Sequence, residues 1–222
     1  MQAVPAEEFL RWMIGVGIDF DARYPDYLAL VPPCEHARFW VLPPDPANWP
    51  RLMATLLSGL DEWSSGYLWP LSRSWPLSAN SPWHAAEARD VVVHSLSRQE
   101  GVRDVVLRGV GIPDGWTGAI RFDRNEEDKV IAILFAFAVF ASHLGDDLYF
   151  VPVHGRQLIQ TDHHDVIHVD CRSVERIDNL VKHMAEAEYK LPTELPDATF
   201  IRPAWMIYDP ETPLANGAAE PD

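Results

Sequence analysis

The residues best equipped for chemistry lie in one stretch, Thr161-Asp162-His163-His164-Asp165-Val166-Ile167-His168-Val169-Asp170, with His154-Gly155-Arg156 just before it. Six of the chain's nine histidines fall after residue 142. Imidazoles and carboxylates are ligands for zinc, iron or manganese, and they are also the usual general acids and bases. Geometry tests the metal reading. If 165–171 is a strand, Asp165, Ile167, Val169 and Cys171 share one face, and His164, Val166, His168 and Asp170 share the other. His164 and His168 then stand about 13 Å apart, too far for one ion with bonds of about 2.0–2.1 Å. His168 and Asp170, about 6.6 Å apart, are close enough to share an ion if a third ligand such as His154 joins them. A helix would bring His164 and His168 together at i, i+4, but the β-branched Val166, Ile167 and Val169 argue against one.

The stretch matches neither HExxH nor a clean HxH pair. Three readings follow. The plainest is a hairpin whose polar residues are turn formers and solvent-facing strand pairs. A second makes His154, Arg156, Asp162, His163, His164, Asp165, His168 and Asp170 a recognition surface that needs no cofactor. In the third, His154, His164, His168 and Asp170 hold zinc or another divalent transition metal. Arg156 has its own pair of readings: a local ion pair with Asp146, Asp147 or Asp162, or a cation that takes a carboxylate or phosphate from a partner.

A second unusual segment is aromatic. Trp63, Trp69, Trp75 and Trp83 lie within 21 residues, and Trp-Pro-Leu-Ser occurs twice, at 69–72 and 75–78. Pro70, Pro76 and Pro82 forbid a long helix beyond about residue 68. Either the rings close over the core beneath an irregular loop, or Trp69 and Trp75 form part of a protein-binding hot spot, where tryptophan is over-represented.

The charge balance narrows the partners. The 222 residues carry 18 Lys or Arg against 33 Asp or Glu, a net −15. No basic run occurs to displace counterions from a phosphate backbone, so nucleic acid is excluded as a partner, and an anionic membrane is disfavoured on the same ground. A basic protein partner suits this charge. Only Cys34 and Cys171 occur, neither in a zinc or CxxC pattern. The acidic N-terminal stretch lacks a secretory signature, which predicts a cytoplasmic protein with reduced thiols. There is no GxSxG elbow, GxxxxGK[ST] loop or GxGxxG turn.

The elements that must position these residues are legible in outline. Val130–Ala141 is the longest apolar run, shorter than the roughly 20 residues a membrane span needs. Asn125, Glu126, Glu127 and Asp128 before it make a helix start, predicting a buried apolar helix over about 125–143. Further helices are expected over 5–14, 48–63, 84–99 and 174–188. Strands are expected over 38–42, 104–110, 117–123 and 148–153, with a hairpin pairing 157–161 to 165–171. Late strands joined by hairpins and flanked by helices predict an α+β fold, a mostly antiparallel sheet on the buried helix, within a single domain over 1–208. Residues 209–222 read as an acidic, flexible tail. The size, acidity and missing catalytic signatures resemble those of bacterial immunity proteins that neutralise toxins. The resulting expectation is a non-enzymatic protein-binding module, an acidic inhibitor of a basic toxin or enzyme; the alternative is a metal-dependent hydrolase built on residues 154–170.

Overall fold

The computed structural model describes residues 1–20, 28–34, 36–43, 45–60, 63–70, 104–141, 148–161 and 166–192. The expected helix over 84–99 and the acidic tail fall outside these residues, as do Asp162, His163, His164, Asp165 and Trp75.

Seven strands form one sheet: β1 (Gln2–Val4), β4 (Ala37–Val41), β5 (Ser65–Pro70), β6 (Ala119–Asp123), β7 (Leu148–Pro152), β8 (Gln157–Thr161) and β9 (Val166–Cys171). Their spatial order is β1-β6-β5-β7-β8-β9-β4, and every neighbouring pair is antiparallel. A separate hairpin pairs β2 (Ile18–Phe20) with β3 (Leu28–Leu30). The α+β class expected from the hairpin-rich second half is the class observed.

The alternation of side chains divides the core in two. On one face Leu68, Ile120, Phe122, Phe150, Ile159, Ile167, Val169 and Cys171 meet helices α2 (Trp49–Gly59), α3 (Glu127–Ala141) and α4 (Val174–Glu186). On the other face Tyr67, Trp69, Tyr149, Val151 and Leu158 meet helix α1 (Ala6–Gly15) and the β2–β3 hairpin.

Helix α3 is the helix expected over 125–143. It buries Val130, Ile133, Leu134 and Phe137, a stripe at i, i+3, i+4 and i+7, and leaves Ala132 exposed. Its entry is a 3-10 turn over Arg124–Glu126, so the cap is Asp123 rather than Asn125. Glu126 reaches back to accept from the Asp123 N–H at 3.3 Å. It also meets the Met1 amino group, which holds its carboxyl down to about 2.

One expectation fails. Residues 104–109 are helical, not a strand. The β-branched Val105, Val106 and Val110 suggested the strand, but only Leu107 and Ile112 are buried there. The helix ends as glycine dictates: Gly111 adopts φ +83°, Ile112 N–H donates to Leu107 O, and Gly111 N–H donates to Arg108 O. Pro113 follows and prevents continuation.

Candidate functional site

The strand β9 runs extended over Val166–Cys171, and its faces alternate as the sequence requires. Ile167, Val169 and Cys171 join the helix-side core. His168 and Asp170 point to the opposite face, beside Gln160 and Leu158 of β8 and Phe39 and Ala37 of β4. The register therefore builds one row across five strands: Trp69, Tyr149, Gln160, His168 and Phe39. The rings of His168 and Phe39 lie 6.3 Å apart. The Tyr149 hydroxyl accepts from the Leu28 N–H at 3.2 Å, tying the row to the β2–β3 hairpin above it.

Two donors in this row are buried without a partner, Trp69 Nε1 and Gln160 Nε2. Trp69 is 1 % exposed, and its ring packs against Phe9 at 5.1 Å and Phe20 at 6.2 Å. Trp69 is thus a core residue near the end of β5, and Trp63 is buried beneath Phe122 and Phe150 on the other face. The rest of the expected irregular loop, from residue 71 on, lies outside the described residues.

Asp170 is the sheet's misfit. Burial pushes its carboxyl up to about 6, and the neighbouring His168 offsets only part of that. His154 has the reverse problem. It sits half-buried in the turn between β7 and β8, where Gly155 adopts φ +63°. Its Nδ1 accepts from the Arg156 N–H at 3.1 Å, which puts the ring proton on Nε2. That Nε2 is buried without a partner. Burial, with help from Arg156, holds the imidazole down to about 4, so it is neutral at physiological pH.

These facts bear on the metal reading. A neutral His154 with Nδ1 engaged and Nε2 protonated offers no lone pair to an ion. Among the described residues no three His, Cys, Asp or Glu side chains gather in a way that could hold one. His168 and Asp170 do share a face, as the alternation requires, but His154 does not join them, and His164 lies outside the described residues. Arg156 is exposed. The acids expected to pair with it, Asp146, Asp147 and Asp162, also lie outside.

Sequence reasoning missed the residue that ties the site together. The Arg172 guanidinium donates to four backbone carbonyls: Gly155 O at 3.2 Å, Val31 O at 3.1 Å, Val16 O at 3.2 Å and Gly17 O at 2.6 Å. It thereby joins the turn carrying His154 to the end of α1 and the end of β3. Gly17, at φ +77°, leaves room for it, because a Cβ there would lie 2.7 Å from Arg172 Nη2. No sequence motif announces such a clamp, since backbone carbonyls have no letter of their own.

A serine–histidine contact also occurs, between Ser58 Oγ and His183 Nε2 at 3.0 Å. It is a helix pin. His183 Nε2 also lies 3.1 Å from Thr55 O, and a carbonyl can only accept, so Nε2 carries the proton and cannot act as a base toward Ser58. Gly59 permits the approach: a Cβ there would lie 2.5 Å from the His183 ring.

Both cysteines are free. Burial pushes the Cys171 thiol up to about 11. Comparison with protein-family models, with curated proteins and with solved structures finds no match to this chain.

Proposed function

We propose that this chain is a non-enzymatic protein-binding module that takes a basic partner, an acidic immunity-type inhibitor of a basic toxin or enzyme. The observation that carries the reading is where the positive charge goes. The chain has a net charge of −15, and several of its few cations are already engaged internally. Arg172 serves four carbonyls, Arg108 pairs with Asp114 at 2.6 Å, and Lys129 pairs with Glu126 at 3.2 Å. Arg51 lies over the Tyr189 ring and Arg124 over the Trp63 ring. Glu7 and Glu8 on α1 and Glu175 and Asp178 on α4 are exposed. Uncompensated acids of this kind raise the encounter rate with a basic protein and repel acidic ones. No helix among the described residues is long and apolar enough to cross a membrane.

The test is capture from a lysate of the source organism at low ionic strength, followed by kinetics on the purified pair. A basic partner is expected, with an association rate that falls at least about tenfold between roughly 0.01 and 0.15 M salt as the Debye length shrinks from about 30 to about 8 Å. An acidic partner, or a rate indifferent to salt, rejects the reading.

A further inference from the structure

The seven-stranded sheet has two edges, and they differ. β1 has three residues, Gln2–Val4, and Pro5 follows it. β4 has five, Ala37–Val41, and pairs on one side only, with β9. Its register sets Ala37 against Asp170, Arg38 against Val169, Phe39 against His168, Trp40 against Ile167 and Val41 against Val166. In an antiparallel ladder, pairs that exchange hydrogen bonds alternate with pairs that do not. The Cys171 N–H donates to His36 O at 3.1 Å, so His36 belongs to the bonded set, with Arg38 and Trp40 after it. Ala37, Phe39 and Val41 therefore turn their N–H and C=O groups away from the sheet. The Arg38 guanidinium agrees with that direction, since it donates to Ala37 O at 2.6 Å in an exposed contact. Among the described residues, Arg38 is the only group bonded to this outward row. Such a row is a template for another strand. The side chains beside it also suit one. Ala37 is exposed and offers only a methyl, and next to it, one strand in, stands the half-buried Asp170. Burial pushes that carboxyl up to about 6, and His168 offsets only part of it.

We propose that the free edge of β4 receives an extended segment of a basic protein as an eighth strand, with a lysine or arginine opposite Ala37 reaching over it to Asp170. This rests on the reading above that the partner is basic, and adds where and how that partner docks. Main-chain bonds to Ala37, Phe39 and Val41 supply affinity, and alternate side chains supply specificity. A residue opposite Ala37 points to the same face as Asp170. Two strand spacings separate their backbones, about 10 Å, a gap that a long cationic side chain and a short carboxylate close together. The residue two positions on lies opposite Phe39, whose ring stands 6.3 Å from that of His168, and an apolar side chain suits it. The residue between them lies opposite Arg38, where a second cation is disfavoured. A second copy of this chain fits the edge less well. It brings a net −15 to a net −15. The one cation on its β4 is Arg38, which belongs to the set bonded to β9, so antiparallel pairing of two β4 edges cannot set it opposite Ala37.

The probe is a short blocked peptide, Thr-Val-Thr-Val-Thr-Lys-Thr, which in antiparallel pairing sets lysine opposite Ala37 and valines opposite Phe39 and Val41. Its binding to the full chain is followed by residue-resolved amide hydrogen exchange at about 0.15 M salt, where long-range attraction is screened. The Phe39 and Val41 N–H groups should exchange freely in the chain alone and at least about tenfold more slowly with peptide bound, while Arg38 and Trp40 change little. The same peptide N-methylated on the amides that face β4 should not bind. Glutamate in place of its lysine should weaken binding at least about tenfold, and Asp170→Asn should remove most of that preference. Ala37→Pro deletes one outward N–H and no bond to β9, so it should fold by circular dichroism and bind the peptide at least about tenfold more weakly. If that variant fails to fold, the N-methylated peptide carries the same test. Slow exchange at Phe39 and Val41 in the chain alone, no binding at millimolar peptide, binding that tolerates N-methylation, or a lysine preference that survives Asp170→Asn overturns the proposal. So does protection of those amides that grows with protein concentration in the absence of peptide, which makes a second copy the occupant. Each of these leaves the basic-partner reading standing, because that reading is decided by the charge of the captured protein and the salt dependence of its association. A captured basic partner whose affinity is unchanged by Ala37→Pro likewise rejects the edge and spares the reading.

Discussion

The two faces of the seven-stranded sheet are held by different physics. The helix-facing side is closed by apolar side chains from α2, α3 and α4, and its polar groups are mostly paired: Gln157 donates to Cys171 Sγ at 3.5 Å, and Thr161 to Leu148 O at 3.4 Å. Trp40 Nε1 is the exception. The opposite side is closed by one short helix and a hairpin of two three-residue strands. It carries an acid with a raised pKa, a histidine with a lowered one and three unpartnered donors, and a single guanidinium fastens its cover. Apolar closure is indifferent to pH and scales with area. Polar closure is specific, sensitive to pH and concentrated in few residues. The difference locates which face should respond to pH and to single polar substitutions.

The largest effect expected belongs to the apolar side. Leu180 on α4 is fully buried against α2, with Gly59 leaving it room. Leu180→Ala should cost about 2–5 kcal/mol in urea unfolding, by the same amount at pH 5 and pH 8, because what is lost is transfer and cavity energy. A cost that changes with pH would show that the two faces are not independent.

Arg172→Ala comes next. It strips the donors from four carbonyls at once, and charge-assisted bonds of this kind are worth about 1.5–3 kcal/mol each when lost singly but are not additive. A net loss of about 3 kcal/mol is expected, with Arg172→Lys recovering little because one ammonium cannot reach three segments. Hydrogen exchange should rise in α1 and the β2–β3 hairpin and stay unchanged in α3. Uniform loss of protection across both faces would remove the distinction drawn between them.

The pH predictions are sharper, because Asp170 and His154 oppose each other. Asp170 in the fold has its pKa raised to about 6 from 3.8, so it favours the protonated form; its contribution is present at low pH and lost as pH rises from about 4 to about 6. His154 has its pKa lowered to about 4 from 6.5, so it favours the neutral form; its contribution is present above about 6.5 and lost as pH falls toward 4. The windows overlap and the signs are opposite, so wild-type stability should vary little between pH 4 and 6.5 on their account. Asp170→Asn should unmask a stability that climbs with pH and should exceed wild type by about 1–3 kcal/mol at pH 7. His154→Gln should unmask the reverse slope. Identical pH profiles for wild type and both variants would show that neither group is perturbed by the fold.

How much of this was legible beforehand depends on what kind of interaction fixes each feature. The extended β9, its face assignment and the partner strand β8 follow from β-branched residues alternating with polar ones. Helix α3 follows from an acid cluster before an apolar run. Those are local signals. The strand expected at 104–110 was misread because valines mark β surfaces only where a neighbour buries them, and the helix there buries little beyond Leu107. Trp69 was readable as aromatic but not as core, since the neighbours that cover it, Phe9 and Phe20, are about fifty to sixty residues away in sequence. Arg172 and the contact from the Cys34 thiol to the Cys171 carbonyl were invisible for the same reason, because both join segments more than one hundred positions apart through backbone atoms.

The smallest expected effect separates the two faces most cleanly. Gln160 and Gln157 lie three residues apart on β8 and point to opposite sides. Gln157 donates to Cys171 Sγ on the helix side, whereas Gln160 Nε2 is 8 % exposed as a residue and has no partner. Replacing an unsatisfied buried amide by an apolar group of similar size removes a desolvation cost of about 1–3 kcal/mol at the expense of whatever its carbonyl gains. Gln160→Leu should therefore fall within about 1 kcal/mol of wild type, on the stabilising side, while Gln157→Leu should destabilise because it severs a bond and leaves the Cys171 thiol unmatched. If Gln160→Leu instead costs more than Gln157→Leu, its amide is serving something, a held water or a bound group, and the polar side of the sheet is where that something sits.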